Sequence, residues 1–142
     1  VIATDNESYT LRGNVAVSPI HWLELNYNIN YGWTRSSYGV TRNTTTSLSH
    51  NGGLHIFPVP QLDLSANYDY VRRQIATGHY KHMSLFNASA QYKFKKAVLR
   101  FELDNLLNQR TYSYTVFDGI NTYSYDYGLC GRTAMLRLTF SL

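Results

Sequence analysis

Glu102 and Asp104 stand two residues apart with Arg100 before them, a spacing that puts all three side chains on one face of an extended strand. Two carboxylates so placed could share general acid and base work. A charge network on a wet surface needs the same residues, and that plainer reading is preferred, because nothing else completes a catalytic set: GxSxG, HExxH, a P-loop and a GxGxxG between strand and helix are all absent. The five histidines supply no metal site. His50 and His55 fall on opposite faces of one strand, His21 lies in a tight turn, and His79 with His82 shares a loop without a nearby carboxylate. Cys130 is the lone thiol, so there is neither an internal disulfide nor a CxxC pair. No enzyme activity, no cofactor and no metal is expected.

Binding chemistry is better represented. The stretch TYSYTVFDGINTYSYDYG, 111 to 128, carries Tyr112, Tyr114, Phe117, Tyr123, Tyr125 and Tyr127 with Asp118, Asn121 and Asp126. Aromatic rings offer contact area at low entropy cost, and small polar groups orient hydroxyls, so this segment suits contact with a sugar or a siderophore. A β-rich extension of the flanking strands would have the same composition.

Strands must position these residues. Tyr is abundant, at 13 of 142 residues, and apolar residues recur at a period of two, not at three and four. Seven strands are expected, at about 8 to 18, 22 to 34, 45 to 57, 61 to 71, 83 to 94, 97 to 105 and 132 to 142, and no helix. The connections 18 to 21, 57 to 61 and 94 to 96 are tight, whereas 35 to 44, 72 to 82 and 106 to 131 are long. Short and long connections alternate, which in an antiparallel meander collects the tight turns on one rim and the long loops on the other.

Each strand has a face free of Asp, Glu, Lys and Arg: Tyr9 to Val17 and Leu23 to Trp33 at odd positions, Thr46 to Ile56 and Leu62 to Tyr70 at even ones, and likewise in the last three strands. The opposite face holds Arg12, Glu24, Asp63, Asp69, Lys93, Arg100, Glu102, Asp104 and Arg137. Trp22, Tyr31, Trp33, Tyr68, Tyr70 and Tyr92 gather toward strand ends, as in the aromatic girdles of membrane barrels. Strands of roughly 9 to 13 residues match the 9 to 11 that cross a bilayer. The expected fold is therefore all-β, an antiparallel up-and-down meander of about seven long strands forming part of a transmembrane β-barrel. Outer-membrane lipid would face the apolar side and a wet lumen the other. The net charge of +4 is not clustered, so no nucleic acid partner is expected. Arg35, Arg42, Arg72, Arg73, Lys81, Arg110 and Arg132 lie on the long-loop rim, where they could pair with lipopolysaccharide phosphates or stand solvated.

At LDNLLNQRTY, 103 to 112, and GRTAMLRLTFSL, 131 to 142, the chain resembles the C-terminal end of TonB-dependent outer-membrane receptors, in particular the carboxypeptidase-regulatory-like, SusC-like branch of the Bacteroidota. Asn105, Leu106 and Asn108 match that family's Asn-Leu-Phe-Asn-x-x-Tyr motif on the penultimate strand, with Leu107 for Phe and the tyrosine one place late at Tyr112. Leu136, Leu138, Phe140 and Leu142 resemble its barrel-assembly signal, although the closing residue is Leu rather than an aromatic. The resemblance implies that 1 to 142 is a C-terminal fragment of a barrel whose remaining strands, plug domain and TonB-contacting segment lie upstream. It also implies an importer of a siderophore, glycan or other nutrient, with a lipoprotein as a further partner. Two other classes fit the same pattern: a soluble or surface-attached β-sheet module that binds carbohydrate through its tyrosines, and another outer-membrane barrel of adhesin or autotransporter type.

Overall fold

A computed structural model describes residues 4–76, 78–118 and 121–140, with 4, 38, 41, 76, 115–118 and 121–122 described by backbone alone. The chain folds into nine strands: β1 (Thr4–Ile20), β2 (Leu23–Tyr38), β3 (Thr41–Val59), β4 (Leu62–Ala76), β5 (His79–Lys93), β6 (Ala97–Asp104), β7 (Thr111–Asp118), β8 (Asn121–Gly128) and β9 (Thr133–Phe140). Seven form one antiparallel sheet in the order β1-β2-β3-β4-β5-β6-β9, and β7 with β8 forms a separate two-stranded ribbon. The seven expected strands are β1 to β6 and β9.

The register joins the apolar positions of neighbouring strands into continuous rows. Val15 faces Tyr27, Tyr27 faces Gly52, Gly52 faces Tyr68 and Tyr68 faces Phe86. One step toward the tight turns, Val17, Leu25, Leu54, Ala66, Ala88, Leu103 and Ala134 form the next row. Because side chains alternate with a period of two, a slip of one residue would carry a whole strand's apolar set to the charged face. The register shifts by one residue only at strand ends, between Val17 and Ile20, Ile56 and Val59, and Gln74 and Ala76; between them no pair slips, so the segregation of charge read along each strand holds across all seven.

This sheet has a single layer. Among the described residues no hydrophobic side chain is buried, and Leu11, Tyr9, Leu136 and Phe140 are 64% exposed or more. The accessible surface is 10314 Å², against about 7,500 Å² for a globular monomer of 16.3 kDa. The excess comes from a sheet open on both faces, of which a soluble domain would have covered the apolar one with a second layer. From Leu23 to Trp33, β2 rises about 33 Å at ~3.3 Å per residue, or about 25 Å of height at a ~40° tilt, the height of the apolar band of an outer-membrane barrel.

Four expectations are corrected. The segments 35 to 44 and 72 to 82 are not long loops: β2 and β3 stay paired out to Tyr38 and Thr41, and β4 and β5 out to Ala76 and His79. β1 to β5 consequently run to between 15 and 19 residues. Beyond the apolar band both faces are wet, so the backbone ladder continues after the alternation that reveals it has stopped. The segment 106 to 131 contains the ribbon, which pairs with itself and does not prolong β6 and β9. The Asn105–Asn108 motif lies in a turn after β6, not on the strand, since Asn105 and Asn108 both adopt positive φ, 53° and 57°. The seven basic residues do not form one collar. Arg35, Arg42 and Arg72 stand on the apolar face, whereas Arg73 and Lys81 stand on the charged one.

Candidate functional site

On the charged face the register aligns amides that the linear sequence leaves scattered. Asn14, Asn28 and Asn51 form one row with Asp69 beside them, and Asn28 Nδ2 donates to Asn51 Oδ1 at 2.9 Å. With Arg12, Asn30 and Ser49 they line a shallow groove of roughly 460 Å³. One row toward the tight turns, Gly53 leaves room for the Asn26 amide: a Cβ there would stand 2.6 Å from Asn26 Oδ1. Amides carry donors and acceptors together, so this wall can hydrogen-bond water or hydroxyl-rich solutes without fixing a charge. The glutamate and aspartate that could have formed an acid–base pair lie lower, in a second groove with Ser65, Asn67 and Asn87. Arg100 Nε is 2.7 Å from Glu102 Oε1, at an angle too bent for a hydrogen bond. Arg137 stands directly opposite Arg100, and like charges so placed repel; Glu102 offsets that repulsion, as the charge-network reading requires. No cluster of three or more His, Cys, Asp or Glu that could hold a metal ion stands among the described residues.

The ribbon is built by strict alternation. Tyr112 pairs with Tyr127 and Tyr114 with Tyr125, so these tyrosines share one face, while Ser113 opposite Asp126 occupies the other. The rings form a near-parallel array. Tyr114 lies 5.0 Å from Tyr125 at 16° and 6.1 Å from Tyr127 at 6°, and Tyr112 lies 6.4 Å from both Tyr114 and Tyr127. Tyr123 continues the same face and is 46% exposed. Desolvation within this stack, reinforced by Tyr127 and Tyr125, raises the Tyr114 phenol above its ordinary range. The side chains of Phe117, Asp118 and Asn121, which sequence reasoning grouped with these tyrosines, lie outside the described residues.

Two observations fix how the ribbon sits. β7 comes within 8 Å of both β5 and β4, Cα to Cα. In-plane strands two places apart are about 9.5 Å from each other, so β7 leans over the sheet rather than extending it. Lys81, on the charged face of β5, donates to Asp126 Oδ1 at 2.9 Å. The ribbon therefore leans over the charged face with its Ser113–Asp126 side toward the sheet, and the tyrosine array points away from the wall into the space the charged face bounds. A hydrogen bond from Ser113, then the one from Lys81, holds the Asp126 carboxyl below the usual carboxylate range.

The turn that launches the ribbon is the motif segment. Asn105, 7% exposed, is the one buried polar residue among those described. Its Nδ2 donates to the carbonyls of Gln109 and Cys130 at 2.7 and 2.8 Å, and its Oδ1 accepts from the Gln109 amide at 2.8 Å. Its own amide donates to Asn87 Oδ1, and Arg132 Nε donates to the Leu106 carbonyl, each at 2.8 Å. One residue thus ties β5, through its backbone amide, to the ribbon base and the approach to β9, through its side chain.

A single-layer meander with an apolar face about 25 Å tall, free of charge except for Arg72 in the Tyr31 row near its outer margin, a hydrogen-bonded polar face and aromatic residues at the margins is the wall of a transmembrane barrel. The family comparison agrees: the model of the outer membrane protein beta-barrel family matches residues 3–141. The chain belongs to that family. Its place is accordingly the bacterial outer membrane. No curated protein and no solved structure matches the chain. In this outer-membrane barrel wall the interfacial residues sort by depth. Tyr9 packs 5.5 Å from Trp33 at the outer margin, while Tyr92 and Phe94, 4.7 Å apart, mark the tight-turn margin, on which Trp22 stands in the β1–β2 turn. Tyr31 lies one row below Trp33. Tyr68 and Tyr70 stand deeper, around His50, with ring centroids 5.9 and 4.9 Å away. Of the residues that resemble an assembly signal, Leu136, Leu138 and Phe140 all point to lipid in β9, opposite Phe101, Leu99 and Ala97; Leu142 lies outside the described residues. Sequence reasoning missed the asparagine rows, whose alignment depends on register, and the Lys81–Asp126 tie, whose partners are 45 residues apart.

Proposed function

We propose that this barrel wall belongs to a TonB-dependent receptor, in which the ribbon and the lumen wall contact a ligand imported at the expense of an energised inner membrane. The carrying observation is the ribbon leaning over the charged face, its tyrosine array turned toward the enclosed space. The Asn105–Asn108 turn at its base is the segment that resembles the receptor motif. Rings stacked nearly parallel suit a flat or sugar-like ligand, and the amide wall below suits its hydroxyl groups.

Strand parity supports further wall from other segments. β1 and β9 both run toward the tight-turn rim, so they cannot pair antiparallel with each other, and an odd number of strands must stand between them in a closed antiparallel barrel. A barrel of about 22 strands meets that condition. A plug and a TonB-contacting segment complete the proposed machine.

Growth on limiting glycans and iron chelates tests the reading, comparing cells that lack this gene with cells that lack TonB. Both strains are expected to fail on the same nutrient. An adherence defect in the first strain that TonB removal does not reproduce would instead identify an adhesin-type barrel.

A further inference from the structure

Arg72 is a cation on the lipid-facing side. Its row runs Leu11, Tyr31, Leu48, Arg72 and His82, all paired in register across five strands. The guanidinium lies 5.0 Å over the Tyr80 ring, which belongs to the next row outward. An arginine stem along apolar surface with its head lifted toward the margin is the posture of a snorkelling side chain. Arg35, farther out on the same face, differs: it sits 5.0 Å over Trp33 and 3.8 Å from Glu7, and it shares a small polar groove with Arg42, Asp5 and Glu7. Those two cations are balanced by two carboxylates. Among the described residues no carboxylate stands within ion-pair distance of Arg72.

Below Arg72 the lipid face is not flat. Gly52 separates Tyr27 from Tyr68, and with Leu54, Ala66 and Phe86 they line an apolar hollow of roughly 550 Å³. Tyr70, stacked on His50 at 4.9 Å, covers the intervening stretch. On the Leu48 row Arg72 is four residues above Gly52, about 13 Å of strand and about 10 Å of depth at ~40° tilt. That depth lies within one leaflet of a ~30 Å hydrocarbon core.

We propose that this face holds one outer-leaflet lipid, a phosphorylated glycolipid of the lipopolysaccharide kind, with a headgroup phosphate on Arg72 beside His82 and an acyl chain in the hollow at Gly52. Charge complementarity selects the headgroup, since an unbalanced guanidinium at the membrane margin forms bidentate bonds to phosphate. The hollow selects a chain at the depth where that lipid's chains run. The site depends only on the barrel wall and stands whether or not the barrel imports a ligand.

Native mass spectrometry of the full-length protein, released from detergent micelles containing diphosphorylated lipid A or its phosphate-free derivative, tests the site. The wild-type barrel is expected to retain one lipid A and to release the phosphate-free form. Arg72→Gln is expected to reduce retention roughly tenfold or more, and Arg72→Lys by less. Gly52→Leu, which fills the hollow, should also reduce retention of lipid A. Arg73→Gln, one residue along but on the other face, should retain lipid A like the wild type. Heat-modifiable migration on a gel establishes that each variant forms a barrel, and the comparison of the two lipids on wild-type protein needs no variant. Equal retention of the two lipids, or equal losses for the Arg72 and Arg73 variants, would overturn the proposal.

Discussion

Asn105 shows how much one side chain can organise in a fold that has no core. It takes a backbone conformation few residues other than Asn, Asp and Gly adopt readily, and it satisfies three backbone groups from two segments. Asn105→Ala is expected to destabilise the barrel by about 2–4 kcal/mol, from unsatisfied buried groups and a disfavoured φ, read as a lower denaturation midpoint. Asn105→Gly removes the φ penalty but not the lost hydrogen bonds, so it should recover only part of that loss. If alanine behaves as wild type, the knot is not what holds the ribbon base. The motif was legible in the sequence as a motif, while its role was not. Residues that resembled part of a strand are a turn, and the two asparagines, tolerant of positive φ, were the available sign.

Among the elements, the ribbon is the one held most lightly. Above the Asn105 turn, the side-chain link to the wall among the described residues is the Lys81–Asp126 pair with Ser113 beside it, and both groups are exposed enough for salt to screen them. The Asp126 carboxyl is lowered in the folded state, so the stability it contributes is present above its ordinary value of 3.8 and is lost as pH falls through the folded value. Hydrogen exchange across 111–128 should accordingly accelerate in acid below about pH 4, and Lys81→Met should give the same acceleration at neutral pH. The wall strands, measured in the same experiment, should not respond. Exchange in the ribbon that ignores both acid and Lys81→Met would mean that contacts other than this pair hold it. The strands were legible where one face meets lipid and the other water, as in Leu23–Trp33. They were illegible beyond it, in Arg35–Tyr38 or Arg72–Ala76, because polar residues on both faces leave no period to read. For that reason Arg72 passed for a loop cation, although continuing the strand by one residue puts it on the lipid face.

For the whole molecule, an accessible surface far above that of a globular chain and an absence of buried apolar side chains follow from one circumstance: the solvent on one side is lipid. The same circumstance accounts for the charge-free rows, the aromatic margins and the height of the band between them. It also makes the soluble carbohydrate module a poor fit, since a monomer exposing this face and two strand edges in water would associate. The most direct test is a spin-label scan of β2 in the full-length barrel reconstituted in bilayers, one cysteine at a time from Leu23 to Trp33, with Cys130 replaced by serine. Labels at odd positions such as Leu25, Tyr27 and Ile29 should collide with dissolved oxygen and be shielded from a water-soluble nickel complex. Labels at Glu24, Asn26, Asn28 and Asn30 should show the reverse. Odd positions closed to both reagents would place a second protein layer over this face and contradict the account.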